Sequence, residues 1–263
     1  MQDTIEQTES RTIVRIDQDG RKAQEDVVAR EHALTLTLND RQFVTMLCSP
    51  SDLEALGLGF LLSEGVIQSR EDVESLSLSE DGSELKIYLK DEDALGEELF
   101  SKRAITSGCG RGSIFYNILD ALDFQEVLSD MKVSAASITR LAGEFQSMST
   151  LYKSTGGTHA AALSDENEIL VFRNDIGRHN AVDKVFGECL MREIEIYGKM
   201  LLTSGRISSE ILLKSVRRGL AIVVSRSAPT GLAIEFAEKA GITLAGFVRG
   251  KRMNIYSNDH RIE

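Results

Sequence analysis

The chain has 263 residues, 42% hydrophobic and 27% charged, with 21 Gly and 2 Pro. This is globular composition, and it excludes collagen-like, low-complexity and wholly disordered chains. Its 30 Lys and Arg against 41 Asp and Glu leave a formal charge of −11, which argues against nucleic acid or an anionic membrane as the main partner. No apolar run reaches the ~18 residues that span a bilayer. The polar start at Met1-Gln-Asp-Thr lacks the basic and apolar segments of a secretion signal, so a cytoplasmic protein is expected.

In chain order, Thr12–Ile16, Leu34–Leu38 and Gln42–Leu47 have the alternation of strands, with a hairpin turn at Asn39-Asp40. Ser51-Asp-Leu-Glu54 reads as a capping box opening a helix whose Leu53, Leu56, Phe60 and Leu61 share a face and which Gly65 closes. A second hairpin, Val73–Leu78 and Glu84–Leu89, straddles Asp81-Gly82, and the charged stretch Asp91–Glu98 reads as a solvated loop. The Gly- and Ser-rich stretch Lys102–Ser113 follows, then two helices near 114–128 and 134–146.

From about Ser154 the pattern becomes repeated strand, loop and helix. Strands are expected at Ile169–Phe172, Met200–Thr203, Ala221–Val224 and Ile242–Phe247. Helix stripes fall on Val182, Val185, Phe186, Cys189 and Leu190, on Ile207, Ile211, Leu212 and Val216, and on Leu232, Phe236 and Ala240. Such alternation predicts an α/β domain with a mixed, largely parallel sheet.

In open α/β sheets, ligands bind outside the carboxyl ends of strands. Three expected ends carry Ser204-Gly-Arg206, Ser225-Arg-Ser-Ala-Pro-Thr230 and Val248-Arg-Gly-Lys-Arg252. Hydroxyls, a close-approach glycine and cations are the chemistry that cradles phosphate. Singly, Ser204 and Thr230 read as helix caps and the arginines as surface groups; three neighbouring ends with one chemistry favour a nucleotide or pyrophosphate. No phosphate-loop or dinucleotide fingerprint accompanies them. Polar residues also gather in Asp175-Ile-Gly-Arg-His-Asn-Ala-Val-Asp-Lys184 and Thr155-Gly-Gly-Thr-His159. There His159, Arg178, His179 and Asp183 fit either ligand contacts or loop architecture, and Asp175 fits a cap partner.

The three cysteines are too few and too far apart for a disulfide framework or a four-cysteine metal site. Cys189 lies on an apolar stripe, and Cys48 ends a strand, so both are expected in the core. Cys109, within Thr106-Ser-Gly-Cys-Gly-Arg-Gly112, is flanked by glycines, and Lys102, Arg103 and Arg111 nearby would favour its thiolate. It is the expected redox or nucleophilic residue.

Together these motifs resemble the FdhD family, the formate dehydrogenase accessory sulfurtransferases. The likeness runs through Ser49–Gly65, Ser107-Gly-Cys-Gly110, Gly156-Gly-Thr-His159, Asp175–Lys184, Thr203–Glu210, Ser227-Ala-Pro-Thr230, Leu244–Phe247 and Met253-Asn-Ile-Tyr256. It implies a cytidine-deaminase-like α/β domain at 113–263, a smaller α+β N-terminal domain at 1–112 ending in the Cys109 loop, and a homodimer. It further implies that Cys109 takes persulfide sulfur from a cysteine desulfurase and passes it to the bis-molybdopterin guanine dinucleotide cofactor of formate dehydrogenase. The family's cofactor-binding segment falls on Phe247, Val248, Arg249, Gly250, Lys251 and Arg252. With the residues gathered above, the expected cofactor contacts add Ser204, Arg206, Ser227, His159, Arg178 and His179. One departure matters: where the family commonly has a two-cysteine C-x-x-C loop, Gly112 stands in place of the second thiol. The alternative is therefore a cofactor-binding chaperone without covalent sulfur transfer. Zinc deaminase chemistry is not expected, because His159-Ala-Ala161 lacks the Glu of H-x-E and no P-C-x-x-C follows.

Overall fold

The computed structural model describes residues 5–91, 104–105 and 126–263. Cys109 and its flanking cations, the stretch 92–98 and the division expected between 112 and 113 lie outside the described residues. So does the helix expected near 114–128, except for Glu126–Leu128, which are not helical.

Strands β1 (Thr8–Asp17) and β2 (Gly20–Ala29) form a two-stranded antiparallel ribbon. A five-stranded sheet follows from β3 (His32–Leu38), β4 (Arg41–Cys48), β5 (Val73–Leu78), β6 (Glu84–Leu89) and β7 (Ala104–Ile105), in the order β5-β6-β3-β4-β7. Asn39 and Asp40, at φ 45° and 61°, make the tight turn between β3 and β4 that the sequence predicts.

Helix α1 (Leu53–Glu64) packs beside this sheet. The expected capping box does not form. Asp52 is the N-cap, in left-handed backbone and without a side-chain cap bond, and its carboxylate instead pairs with Arg173 Nε at 3.2 Å. Nor is α1 amphipathic: ten of its twelve residues are buried, because its other side meets a second helix rather than water. Gly65, at φ 78°, ends it as expected.

The second sheet has six strands, β8 (His159–Ser164), β9 (Ile169–Asp175), β10 (Met200–Thr203), β11 (Ile222–Ser225), β12 (Thr243–Arg249) and β13 (Arg252–Ser257). Their order is β13-β12-β11-β10-β8-β9. Only β10, β11 and β12 run parallel; β8, β9 and β13 are antiparallel to their neighbours. The sheet is mixed rather than largely parallel, because β8–β9 and β12–β13 are joined by short turns that reverse the chain, whereas helical crossovers join the central strands.

Helices α2 (Ala135–Met148) and α3 (Thr150–Thr155) precede this sheet, and α4 (Arg178–Met191), α5 (Ser209–Arg217) and α6 (Gly231–Lys239) are interleaved with its strands. Alternate residues of each strand enter two cores. Leu201, Val223 and Leu244 join α4, α5, α6, α1 and the five-stranded sheet in one continuous cluster. Leu202, Val224 and Ala245 face Ile138, Leu141 and Phe145 of α2. Two expected stripe positions fall elsewhere: Leu232 is 40% exposed, the face of α6 being set by Ala233, Phe236 and Ala237, and Ile207 precedes α5, bridged to Pro229.

The two sheets are tied together where α1 crosses α4. A Cβ on Gly59 would lie 1.7 Å from the Asp183 carbonyl oxygen, and one on Gly187 would lie 1.8 Å from that of Ala55. Only glycine permits backbones this close.

Candidate functional site

The topology brings five separated segments to one edge of the six-stranded sheet. Thr203 pairs with both Ala161 and Ser225, Val224 with Ala245, and His159 with Asp175. The carboxyl ends of β9, β10, β11 and β12 and the start of β8 therefore lie side by side. All the expected cofactor-contact residues sit on these five segments.

At the centre, the Ser204 hydroxyl accepts from Ala160 N–H at 3.0 Å and lies 3.3 Å from His159 Nδ1. A Cβ on Gly205 would meet Arg178 Cβ at 2.9 Å and His159 Nδ1 at 3.5 Å, so this glycine lets Arg178 and His159 close over the end of β10. The next loop is held by the Ser225 hydroxyl, which donates to the Gly205 carbonyl at 2.7 Å and accepts from Ser227 N–H at 2.9 Å. Thr230 caps α6 as its sequence position suggests, whereas the cap of α5 is Ser208 rather than Ser204.

The third segment departs from expectation. β12 continues to Arg249 and reverses through Gly250 and Lys251 into β13, with Arg249 paired to Arg252, so it ends in a hairpin rather than a loop. The register shifts between Gly246 and Arg249, and Phe247 takes φ 51° and is 38% exposed. Its N–H donates to the Ser227 carbonyl at 3.0 Å. A bulge of this kind re-aims side chains: Phe247 comes to the surface while the Val248 side chain joins the core at 1% exposure. Arg249 Nε donates to the Arg226 carbonyl at 3.1 Å, which ties the hairpin to the neighbouring loop. Arg226 thus belongs to the edge; its signal was its place inside Ser225–Thr230.

The acidic residues here are occupied. Asp175 is fully buried, pairs with Lys184 at 2.7 Å, and accepts from Ser49 N–H, Gly177 N–H and Asn180 Nδ2 at 2.8 to 3.0 Å. Lys184 also donates to the Ser49 carbonyl at 3.1 Å. Asp175 is more than a cap partner: it joins the end of β4 to the start of α4. Asp183, which the sequence left between ligand contact and architecture, is 1% exposed, holds Lys214 and accepts from the Ser63 hydroxyl at 2.5 Å; burial pushes its pKa up to about 6. His179 Nε2 lies 3.3 Å from both Ser208 Oγ and Glu210 Oε2. Burial, then Lys214 and Arg178, push its pKa down to about 2. His159 is lowered by burial and by Arg178. Both imidazoles are therefore neutral near pH 7, and the positive charge of the edge resides on Arg178, Arg206, Arg226, Arg249, Lys251 and Arg252. Hydroxyls, neutral imidazoles and guanidinium groups in this arrangement can hold a polyanion and orient it by hydrogen bonds.

Cys48 and Cys189 are fully buried, as expected, and desolvation pushes both thiols up to about 12. Neither can act as a thiolate near pH 7.

A mixed α/β protein with a cation-lined sheet edge is the class that these features define. The family model described as FdhD/NarQ matches residues 29–263, and the chain belongs to that family. A relative from Halalkalibacterium halodurans named sulfur carrier protein FdhD is 44% identical over 255 residues, covering 96% of this chain and 94% of its own. One of the same name from Bacillus pumilus is 42% identical over 237 residues, with 90% of each chain covered. A crystal structure from Desulfotalea psychrophila, named as a formate dehydrogenase accessory protein, superimposes with a TM-score of 0.80 at 28% identity, covering 98% of this chain and all of the other.

Proposed function

We propose that this protein is a sulfurtransferase that carries sulfur as a persulfide on Cys109 and delivers it to the bis-molybdopterin guanine dinucleotide cofactor destined for a formate dehydrogenase. The observation that carries the reading is an elimination: of the chain's three cysteines, Cys48 and Cys189 are sealed in the core with depressed acidity. A carrier must meet one protein and then a bound cofactor, so only Cys109 qualifies. Its thiolate attacks the outer sulfur of a cysteine desulfurase persulfide and the desulfurase thiolate leaves. On transfer to the cargo the S–S bond on Cys109 breaks, Cys109 departs as its thiolate, and the two electrons that make the sulfane sulfur a sulfido ligand come from the reduced metal of the cargo. The names of the relatives and of the solved structure support a sulfur carrier that serves formate dehydrogenase.

The cargo's pyrophosphates fit the Ser204, Arg206, Ser227 and Arg249–Arg252 edge. Phe247, exposed beside them, offers a ring face for guanine, and the backbone of Val248 and Gly250 completes the segment. Arg178, His159 and His179 border it; their neutral imidazoles donate or accept hydrogen bonds without adding charge. Gly112 removes the partner thiol, so release proceeds from a single persulfide. We read the six-stranded unit as a cytidine-deaminase-like framework without deaminase chemistry, and the working protein as a cytoplasmic homodimer. Among the described residues no helix is long and apolar enough to cross a membrane.

The test is maturation of formate dehydrogenase in cells that depend on this protein. Cys109→Ala should abolish formate oxidation while leaving the protein folded and able to bind guanosine diphosphate. Full activity with Cys109→Ala would instead favour the chaperone without covalent transfer.

A further inference from the structure

A cavity of about 770 Å³ lies at the opposite end of the six-stranded sheet from the cation-lined edge. Its walls come from the segments that enter β10 and β11, Glu193–Tyr197 and Val216–Gly219, from Gln68–Glu71 after α1, and from Glu126–Leu128. That volume is in the range of small-molecule sites.

Three guanidinium groups line it, those of Arg70, Arg217 and Arg218. Among the described residues none of the three forms an ion pair. Arg217 donates to the Ser63 carbonyl, Arg70 to the Val73 carbonyl at 3.0 Å, and Arg218 to Gln68 Oε1 at 3.1 Å. These bonds fix the three side chains and use one donor group of each, leaving the remaining N–H groups of each fork. Arg218 Nε is buried and has no partner. Burial and the neighbouring Arg217 make Arg218 harder to keep charged, so an anion placed there would relieve both. Glu71, Glu126, Glu193 and Glu195 also line the cavity, but none pairs with these arginines. The rest of the wall combines apolar side chains, including Leu62, Ile194 and Val216, with Gln68 and Ser69. The Tyr197 ring is fixed over Gly219, where a Cβ would meet it at 2.3 Å, and its hydroxyl donates to the Leu128 carbonyl at 2.6 Å.

We propose that this cavity is a second ligand site, taking a small molecule with a phosphate or carboxylate group on an apolar body. The oxyanion lies against Arg217 and Arg218, where planar forks match its geometry, and the body lies against Leu62, Ile194 and Tyr197. The site lies apart from the cation-lined edge.

The experiment uses phenyl phosphate and benzoate as probes, with benzyl alcohol as the uncharged control, followed by amide chemical shifts and calorimetry on the full chain. Saturable shifts at 193–197 and 216–219 for either anion, and none for benzyl alcohol, are expected. The larger response of the two distinguishes phosphate from carboxylate. Arg218→Gln should weaken binding at least about tenfold and Arg249→Ala should leave it unchanged; Arg218→Lys, which keeps charge but loses the fork, tests the same point if the Gln variant folds poorly. No saturable shifts in the wild type, shifts confined to the cation-lined edge, or binding unaffected by both Arg218 variants would overturn the proposal.

Discussion

Replacing a helical glycine by alanine ordinarily stabilises a helix by about 1 kcal/mol, and Gly59→Ala should do the opposite. The added methyl carbon would stand 1.7 Å from the Asp183 carbonyl oxygen and 2.7 Å from Gly187 N. Both are backbone atoms, so relief requires α1 and α4 to move apart by more than 1 Å along their whole crossing. Overpacking of this sort costs about 1–3 kcal/mol and occasionally more, and here it acts where both sheets meet. Taking about 3 kcal/mol for the clash less about 1 kcal/mol of propensity leaves a net loss of about 2 kcal/mol. For a chain of this size that lowers Tm by about 4–8 °C. Gly143→Ala is the matched control: it lies in α2, exposed, with nothing within 4 Å of the added Cβ, and should gain up to about 1 kcal/mol. Urea denaturation of the two variants side by side provides the measurement. Equal effects of the two substitutions, or a Gly59→Ala variant as stable as the wild type, would refute the close-crossing account.

Lys184→Met should cost about 3–5 kcal/mol by stranding the Asp175 carboxylate in the core, with partial recovery when Asp175→Asn is added; denaturant midpoints read this, and additive losses would contradict the pairing. His179 predicts an acid limb: below pH 6.5 the unfolded chain takes up a proton at this imidazole that the folded chain refuses until about pH 2. Its contribution is therefore intact above 6.5 and falls by about 1.4 kcal/mol per pH unit below it. His179→Gln should flatten the stability profile between pH 6 and 4 by about that slope, and an unchanged profile would refute the assignment. Arg249→Ala and Arg252→Ala should each weaken guanosine diphosphate binding about tenfold, the worth of one charge-assisted contact, with little change in Tm because both side chains are exposed; calorimetric affinities equal to the wild type would remove the hairpin from the site.

Strands with strong alternation and tight turns were legible in the sequence: β3, β4, β5, β6, β10 and β11 lie within a few residues of where their apolar runs put them. The elements that escaped have physical reasons. β2 places Arg21, Lys22, Gln24, Glu25 and Asp26 along its first seven residues because the ribbon it forms with β1 is exposed along most of its length, leaving no buried face to mark it. β8 is buried on both faces, yet Ala160–Ala162 carry no β-branched signal. The Ser51 box failed because the helix begins one residue later, with Asp52 in left-handed backbone at the N-cap and its carboxylate held by Arg173, remote in sequence. The edge was more legible than the fold: Ser204, Arg206, Ser227, His159, Arg178, His179 and the 247–252 segment do converge. What sequence did not reveal was which of them bear charge and which side chains face outward. Neutrality of His179 comes first from burial and then from Lys214 on another helix, and the inward turn of Val248 from a register shift in β12.

The central claim is that Cys109 carries the sulfur. Intact-protein mass spectrometry after incubation with a cysteine desulfurase and cysteine tests it directly. The wild type should gain one sulfur atom, removable by reductant, and Cys109→Ala should gain none. An unmodified wild type under conditions that load a two-cysteine relative, or an adduct that survives in Cys109→Ala, would contradict the account.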